Sequence, residues 1–312
     1  AVGERAVGER AVGERAVGER AVGERVTRRV KLTLAIVVGL IALVAALAYA
    51  LRLRRVRSEA APFERPSHAP LNALLGEHVR AGGVDYDALS RDARLDRYVA
   101  TLATWGPESA PGDFPTEASR LAYSINAYNA LVLFAVKRAW PIGSVHEVRG
   151  LLEPKAGFGF FWAQLFRLDG RWINLYDLEH DVLRGGFEDA RIHAAIVCAS
   201  RSCPTLSAEA YLPDTLDAQL DDAMRDFTSN PRHVRVDDAT ERITLSAIYD
   251  WFEEDFEAEA RRRGVGDSVL DAIAHFADER TRDSLRRARA AGYTVVYRDY
   301  DWSVNLPHDD GA

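Results

Sequence analysis

Two cysteines, Cys198 and Cys203, are the residues of this sequence best suited to covalent chemistry, and they lie five positions apart in the segment CASRSCP. The polar residues after Cys198 and Pro204 should hold Cys203 in a loop, and loops carry function more often than strand centres do. A nearby cation, Arg201 or a histidine, lowers the pKa of a thiol. Because a thiolate attacks carbonyl carbons readily, the sequence indicates a nucleophile at Cys203.

Other roles for the two cysteines stay open. Cys198 lies in the apolar run IHAAIVCA, residues 192–199, and free cysteine is among the most buried residue types, so it could simply pack in the core. Cys203 could be a plain loop residue. A disulfide between the two would need a bend, because a straight strand would strain it.

A cysteine nucleophile requires a base, and the nearest histidines are His180 and His193. If residues 192–199 form a strand, His193 is roughly 16 Å from Cys198 and on the opposite face. His180 is the better partner because it belongs to a separate helix in LYDLEHDVL. Glu179 points about 100° away from His180 around that helix and would more naturally orient His193 or an arginine. Each histidine could equally be a buried structural group.

The elements that position these residues follow from the spacing of apolar side chains. The pattern predicts helices at residues 71–79, 95–105, 118–140, 176–183, 215–228, 246–256 and 269–290. It predicts hairpins of 160–168 with 171–175 and of 233–237 with 242–245, a central strand at 192–199 and a last strand at 293–297. Because helices and strands are segregated, we expect an α+β domain with a central mixed or antiparallel sheet.

The N-terminal part of the chain has a different composition. Residues 1–25 are five copies of AVGER, for which we expect a disordered tail, and residues 32–51 contain no charge. Twenty apolar residues are long enough to cross a bilayer, so we expect a single transmembrane helix in a basic-flanked segment 26–57. A cleaved signal peptide is the alternative. Residues 58–70 then form a linker, 71–305 the soluble globular domain and 306–312 a tail.

Charge and motifs exclude several function classes. Beyond residue 57 the chain has 28 basic and 42 acidic residues, a balance that repels nucleic acid. No glycine-rich nucleotide loop and no Gly-x-Ser-x-Gly motif is present. We therefore expect no nucleic-acid partner and no cofactor, a membrane contact through one helix, and an unknown substrate or protein partner.

Five separated motifs resemble the domain of unknown function 547 family. They are INAYNALVL (125–133), LYDLEHDVLRG (175–185), RIHAAIVCASRSCPTL (191–206), AYLPDTLDAQLDDAMRDF (210–227) and YDWSVN (300–305). Glu179, His180, His193, Cys198 and Cys203 fall on recurring motif positions of that family, as do Asn126 and Asn129. Many members are exported or membrane-attached, which favours a periplasmic or extracellular domain, although the flanking charges alone favour the opposite orientation by one charge.

The resemblance implies no assigned activity, so three classes of function remain. The first is a thiol-dependent hydrolase or acyl/amide transferase with a Cys–His pair, in which Asn126, Asn129 and Arg201 contact the substrate. The second is a non-enzymatic cell-envelope binding or scaffold module, in which the two asparagines tie a helix to a buried strand. The third is a zinc site at Glu179, His180, His193 and Cys203, although no tight ligand spacing supports it.

Overall fold

The computed structural model describes residues 28, 31–44, 47, 53–80, 82–149, 153 and 155–307. The chain divides into two compact units, Ala1–Arg52 and Leu53–Ala312. The AVGER repeat lies outside the described residues. The second unit begins ahead of the predicted domain start at Leu71, because strand β1 (Arg54–Val56) pairs with a later strand of the same unit.

The first unit contains helix α1, of which residues 31–44 are described and exposed. Among the described residues, no helix combines the length and the apolar character that crossing a membrane requires. The expected transmembrane anchor and the single-pass localisation are therefore corrected.

The strands of the second unit build small separate sheets in place of the single central sheet that we expected. One sheet pairs β1 in parallel with β4 (Gln164–Leu168), which is antiparallel to β5 (Arg171–Ile173). A second pairs β2 (Val79–Arg80) with β3 (Gly83–Val84). The third pairs β6 (Val234–Asp237) with antiparallel β7 (Arg242–Leu245) and then parallel β8 (Thr294–Tyr297). The expected α+β fold with a central sheet is thus wrong, whereas both hairpins and the last strand are confirmed.

Helices are the main regular elements of the second unit. In chain order they are α2 (Ala69–His78), α3 (Tyr86–Leu89), α4 (Ala93–Leu102), α5 (Glu117–Ala139), α6 (Phe158–Phe161), α7 (Leu175–Asp177), α8 (Ile192–Ala195), α9 (Leu216–Ser229), α10 (Ala247–Trp251), α11 (Glu253–Arg263), α12 (Val269–Phe276) and α13 (Glu279–Ala290), with a π-helix at Leu178–Arg184 after α7. The predicted helix at 269–290 is divided because Asp278 caps a new helix by accepting a hydrogen bond from the Thr281 amide.

Helix α5 is the centre of the larger of two hydrophobic cores. Thr116 and Ser119 close its N-terminus with a capping box, and every residue from Leu121 to Val136 is buried. A helix that is buried on all sides must be covered by other elements. The second core lies around α9, α11 and α12 and the β6–β7 hairpin.

The predicted central strand at 192–199 is wrong. Ile192–Ala195 form the single helical turn α8, and residues 196–198 are irregular. The side chain of Asn129 on α5 replaces a neighbouring strand, because its Nδ2 donates to the Ala195 carbonyl at 2.9 Å and its Oδ1 accepts from the Val197 amide at 2.9 Å. Apolar periodicity alone cannot distinguish a buried strand from such a segment.

Candidate functional site

A cavity of about 360 Å³ opens beside the end of the 192–199 segment. All five residues that we expected to be catalytic lie in its wall, namely Glu179, His180, His193, Cys198 and Cys203. The rest of the wall is mostly aromatic and includes Tyr128, Phe161, Trp162, Tyr176, Trp251, Phe252, Tyr300 and Trp302, with His146 and Lys155 from a preceding segment. The structure therefore brings together residues that are far apart in sequence.

Cys198 and Cys203 are joined by a disulfide, with their Cα atoms 6.4 Å apart. The bend between them comes from Ala199, whose φ of +60° is left-handed and costs a residue other than glycine roughly 1 kcal/mol or more. The C-terminal segment holds this bend, because Asn305 N–H donates to the Ala199 carbonyl and Arg201 N–H donates to that of Ser303. The fold therefore contains the bend that a disulfide between Cys198 and Cys203 needs.

The two sulfurs differ in exposure and in hydrogen bonding. Cys198 is the one residue of the ten in 191–200 that is not buried, whereas Cys203 is only 3% exposed. The sulfur of Cys203 accepts a hydrogen bond from the Cys198 amide at 3.0 Å. The Tyr300 hydroxyl lies 3.1 Å from both sulfurs, and it is the donor because a disulfide carries no S–H.

Glu179 is an acid–base group of the cavity wall whose pKa lies near neutrality. Burial raises the pKa of Glu179 to about 7, although a hydrogen bond from the Tyr128 hydroxyl at 3.0 Å and the charge of Arg184 act in the opposite direction. At neutral pH the carboxyl group therefore exists in both protonation states and can give or take a proton.

His180 is held as a neutral imidazole. Its Nδ1–H donates to the Tyr176 carbonyl at 3.2 Å, and its ring stacks on that of Tyr176 with centroids 3.9 Å apart. Burial lowers the pKa of His180 below its ordinary value. Because Nδ1 carries the proton, Nε2 is left unprotonated and can act as a base.

His193 belongs to a different charge network. It is 4% exposed, burial lowers its pKa, and its Nε2–H donates to Asp255 at 2.7 Å. Arg184 donates to both oxygens of Asp255, at 2.7 and 3.1 Å. Burial acts to raise the pKa of Asp255, but the hydrogen bonds from His193 and Arg184 outweigh it and hold that pKa below its usual range.

The three residues that we expected to bind substrate are not in the cavity wall. Asn126 is buried, and its amide donates to the Tyr211 carbonyl at 2.7 Å and accepts from the Tyr211 amide at 2.9 Å. Asn129 brackets Ala195 and Val197 in the same way. Arg201 is exposed, and its backbone N–H bonds to Ser303. Both asparagines therefore clamp backbone segments to α5.

The predicted zinc ligands do not converge. In the part of the chain that the structure describes, the one set of three potential ligands whose atoms all lie within 4.8 Å of one another is Glu77, His78 and Asp92. There Arg94 donates to Glu77 at 2.8 Å and to Asp92 at 3.0 Å, so a guanidinium already supplies the positive charge.

Several residues of the cavity wall were not predicted from the sequence. Tyr300 and Trp302 lie in the motif YDWSVN, and Tyr176 lies in LYDLEH, so the motif positions could have identified them. Asp255 is not in the wall but bonds to His193, and it had no signal because it is one acidic residue among several at the start of α11. Lys155 lies in the segment 148–158, which matched none of the motifs.

One segment of the chain matches a known family model. Residues 113–228 match the model described as protein of unknown function, DUF547. This part of the chain is therefore similar to the DUF547 family. No curated protein and no solved structure matches the chain.

The DUF547 segment contains only part of the cavity. It supplies Glu179, both histidines and both cysteines, together with Tyr128, Trp162 and Tyr176. Trp251, Phe252, Tyr300 and Trp302 come from beyond residue 228, as does Asp255, the partner of His193. The complete site therefore requires the C-terminal part of the unit.

Proposed function

We propose that the cavity is the active site of a thiol-dependent hydrolase or acyl/amide transferase, with Cys198 as the nucleophile once the disulfide is reduced. The observation that carries this proposal is the position of Cys198, which is the unburied residue of its segment and lies in a cavity wall that also contains acid–base groups. Nucleophile, base and proton donor within one pocket is the arrangement that covalent acyl transfer requires.

The burial of the two cysteines favours Cys198 over Cys203 for attack. The sequence pointed to Cys203 because Cys198 was assigned to a strand centre, and that strand is absent from residues 192–199. Cys203 is almost fully buried, so its sulfur is poorly placed to meet a substrate carbonyl. Its role in this proposal is to form the disulfide that blocks the Cys198 sulfur until it is reduced.

His180 is the residue best suited to be the general base. Its protonated Nδ1 is tied to the Tyr176 carbonyl, and burial keeps the ring neutral, so Nε2 can take the thiol proton. His193 is less suited because its Nε2 is committed to Asp255. In this proposal His193 and Asp255 stabilise the wall of the site and do not touch the substrate.

Glu179 is the residue best suited to protonate the leaving group. A carboxyl group with a pKa of about 7 is protonated often enough at neutral pH to act as an acid and is regenerated readily. The aromatic walls, among them the stacked rings of Trp162 and Tyr176 with centroids 4.5 Å apart, favour an apolar or planar group next to the scissile bond.

The test uses electrophilic ester and amide probes on the pre-reduced protein, with mass spectrometry to locate the label. Wild type should be labelled at Cys198, and Cys198→Ser should lose the label and any turnover of the same ester. His180→Ala should slow labelling at neutral pH by about a hundredfold, since general base catalysis contributes about 10²–10⁴.

His275→Ala is the matched control, because His275 is an exposed histidine on α12 outside the cavity, and labelling should not change. Label on Cys203 alone, with Cys198 inert, would reverse the assignment of the nucleophile. Absence of label on both cysteines of the reduced protein would refute a thiol-dependent enzyme.

A non-enzymatic binding or scaffold module is the second function that a specific observation favours. The side-chain amides of Asn126 and Asn129 hydrogen-bond to buried backbone, as expected in a module whose motif residues build the core. In such a module the cavity would bind its ligand without covalent chemistry. The same labelling experiment separates the two, because a scaffold predicts equal, slow alkylation of Cys198 with and without His180.

A further inference from the structure

The disulfide in the cavity wall joins one reachable cysteine to one buried cysteine. Cys198 is the unburied residue in its segment, whereas Cys203 is 3% exposed. An external sulfur nucleophile must contact the sulfur that it attacks, so access restricts the attack to Cys198. The bond that breaks then releases its electron pair to Cys203.

The surroundings of Cys203 are suited to that outcome. Its sulfur faces two hydrogen-bond donors, the backbone N–H of Cys198 at 3.0 Å and the Tyr300 hydroxyl at 3.1 Å. Donors of this kind stabilise a thiolate, and a stabilised thiolate is the better leaving group in disulfide exchange. The buried sulfur is thus the leaving group and the reachable one is the point of attack.

We propose that the cavity performs thiol–disulfide exchange with low-molecular-weight thiols, in which Cys198 forms the mixed disulfide and Cys203 resolves it. The consequence for catalysis rests on the proposed function, because reduction frees the Cys198 nucleophile. The exchange itself rests only on the disulfide and its surroundings.

The exchange is balanced in atoms and electrons. A thiolate RS⁻ forms an S–S bond with Cys198, the Cys198–Cys203 bond breaks, and Cys203 leaves as a thiolate that is protonated. A second RS⁻ attacks the sulfur of R, forming RSSR and releasing Cys198. Two external thiols are oxidised and one disulfide is reduced. In the reverse direction the Cys198 thiolate attacks RSSR, forming the mixed disulfide and releasing RS⁻. The Cys203 thiolate then attacks the Cys198 sulfur, which forms the intramolecular disulfide and releases the second RS⁻.

The size of the cavity selects the partner. A volume of about 360 Å³ is at the lower end of the range for small-molecule sites, about 300–1,000 Å³. Aromatic side chains surround the sulfurs, and Trp251 and Trp302 lie against Tyr300 with ring centroids 4.8 and 4.5 Å away. Such a site admits a thiol of the size of glutathione more readily than a cysteine in the surface of a folded protein.

The experiment treats reduced full-length protein with glutathione disulfide and identifies adducts by intact mass. Cys203→Ser should accumulate one glutathione adduct, on Cys198, because the resolving thiol is absent. Cys198→Ser should form an adduct on Cys203 at least roughly tenfold more slowly, because that sulfur is buried. Wild type should end as the intramolecular disulfide and retain no adduct. Cys203→Ala repeats the first arm without a buried hydroxyl group in case Cys203→Ser folds poorly.

The reverse direction is tested by incubating oxidised wild type with reduced glutathione or with a protein dithiol, followed by alkylation of free thiols under native conditions. Reduction by glutathione supports the proposal. Reduction by the protein dithiol alone, reduction only after unfolding, or faster adduct formation on Cys203 than on Cys198 would each overturn it. Exchange without any ester or amide labelling of the reduced protein would refute the proposed hydrolase or transferase and leave the exchange standing.

Discussion

Replacing Glu179 with glutamine should stabilise the protein at alkaline pH and leave it unchanged at acid pH. Burial raises the pKa of Glu179 from 4.5 in the unfolded chain to about 7 in the folded protein. Below pH 4.5 the carboxyl group is neutral in both states and carries no penalty. Between pH 4.5 and about 7 the unfolded chain ionises while the folded protein keeps its proton, so stability falls over this range and stays low above pH 7.

The magnitude follows from the same shift. One pKa unit corresponds to about 1.36 kcal/mol, so a rise from 4.5 to about 7 costs about 3 kcal/mol of unfolding free energy above pH 7. Glutamine removes the charge, and its amide oxygen can still accept the hydrogen bond from Tyr128. Glu179→Gln should therefore gain about 2–3 kcal/mol at pH 8 and less than about 0.5 kcal/mol at pH 4.

The assay is urea denaturation of wild type and variant at both pH values under oxidising conditions, so that the disulfide stays closed. Glu188→Gln is the control, because Glu188 is an exposed glutamate shortly after the π-helix, and it should change stability by less than about 0.5 kcal/mol at either pH. An equal effect of Glu179→Gln at both pH values would refute a raised pKa, as would a loss of stability at pH 8.

Two further substitutions test the contacts that position the site. Asn129→Ala should lower the free energy of unfolding by about 2–5 kcal/mol, measured by urea denaturation. It leaves the buried Ala195 carbonyl and Val197 amide without partners, at about 1–3 kcal/mol each. A loss below about 1 kcal/mol would mean that water or a backbone shift replaces these hydrogen bonds. Asp255→Asn should cost about 2–4 kcal/mol at pH 7, because it leaves Arg184 and His193 with a neutral partner. That difference should shrink progressively as the pH falls from 3.8 towards the lowered pKa of Asp255 in the folded protein, because the unfolded chain takes up the proton first. The control is Asp222, which forms an exposed ion pair with Arg225, and Asp222→Asn should change the free energy of unfolding by less than about 0.5 kcal/mol.

The elements that sequence reasoning predicted correctly are those with a strong local signal. Helix α5 combines a long apolar pattern with a capping box and a terminal Pro141, and it was expected within two residues of its observed bounds. Both hairpins were predicted because a turn separates two short apolar runs, and their pairing is local in sequence. Such signals do not depend on the rest of the fold.

The failures occurred where a distant side chain replaces regular backbone pairing. The run 192–199 is apolar because helices cover it, and the Asn129 amide satisfies its backbone from 66 and 68 positions away. No pattern within the run carries that information. The prediction of a straight strand also favoured Cys198 in the core and counted against a disulfide with Cys203, which such a strand would strain. The motif positions were more reliable, since they identified five residues of the cavity wall without any assumption about secondary structure.

The electrostatics of the thiol pair also differ from the expectation of a neighbouring cation. Neither Arg201, which is exposed, nor Arg184, whose charge is paired with Asp255, belongs to the cavity wall. Burial keeps His180 and His193 neutral. The hydrogen-bond donors next to the sulfurs are the Cys198 backbone N–H and the Tyr300 hydroxyl. Burial raises the pKa of Tyr300, so its hydroxyl stays protonated as a donor across the physiological pH range. Fixed dipoles of this kind hold their orientation before the reaction begins, and they stabilise negative charge on sulfur without the desolvation cost of burying a full positive charge. The reactivity of the pair should therefore depend on the C-terminal segment that carries Tyr300, which lies beyond the DUF547 match.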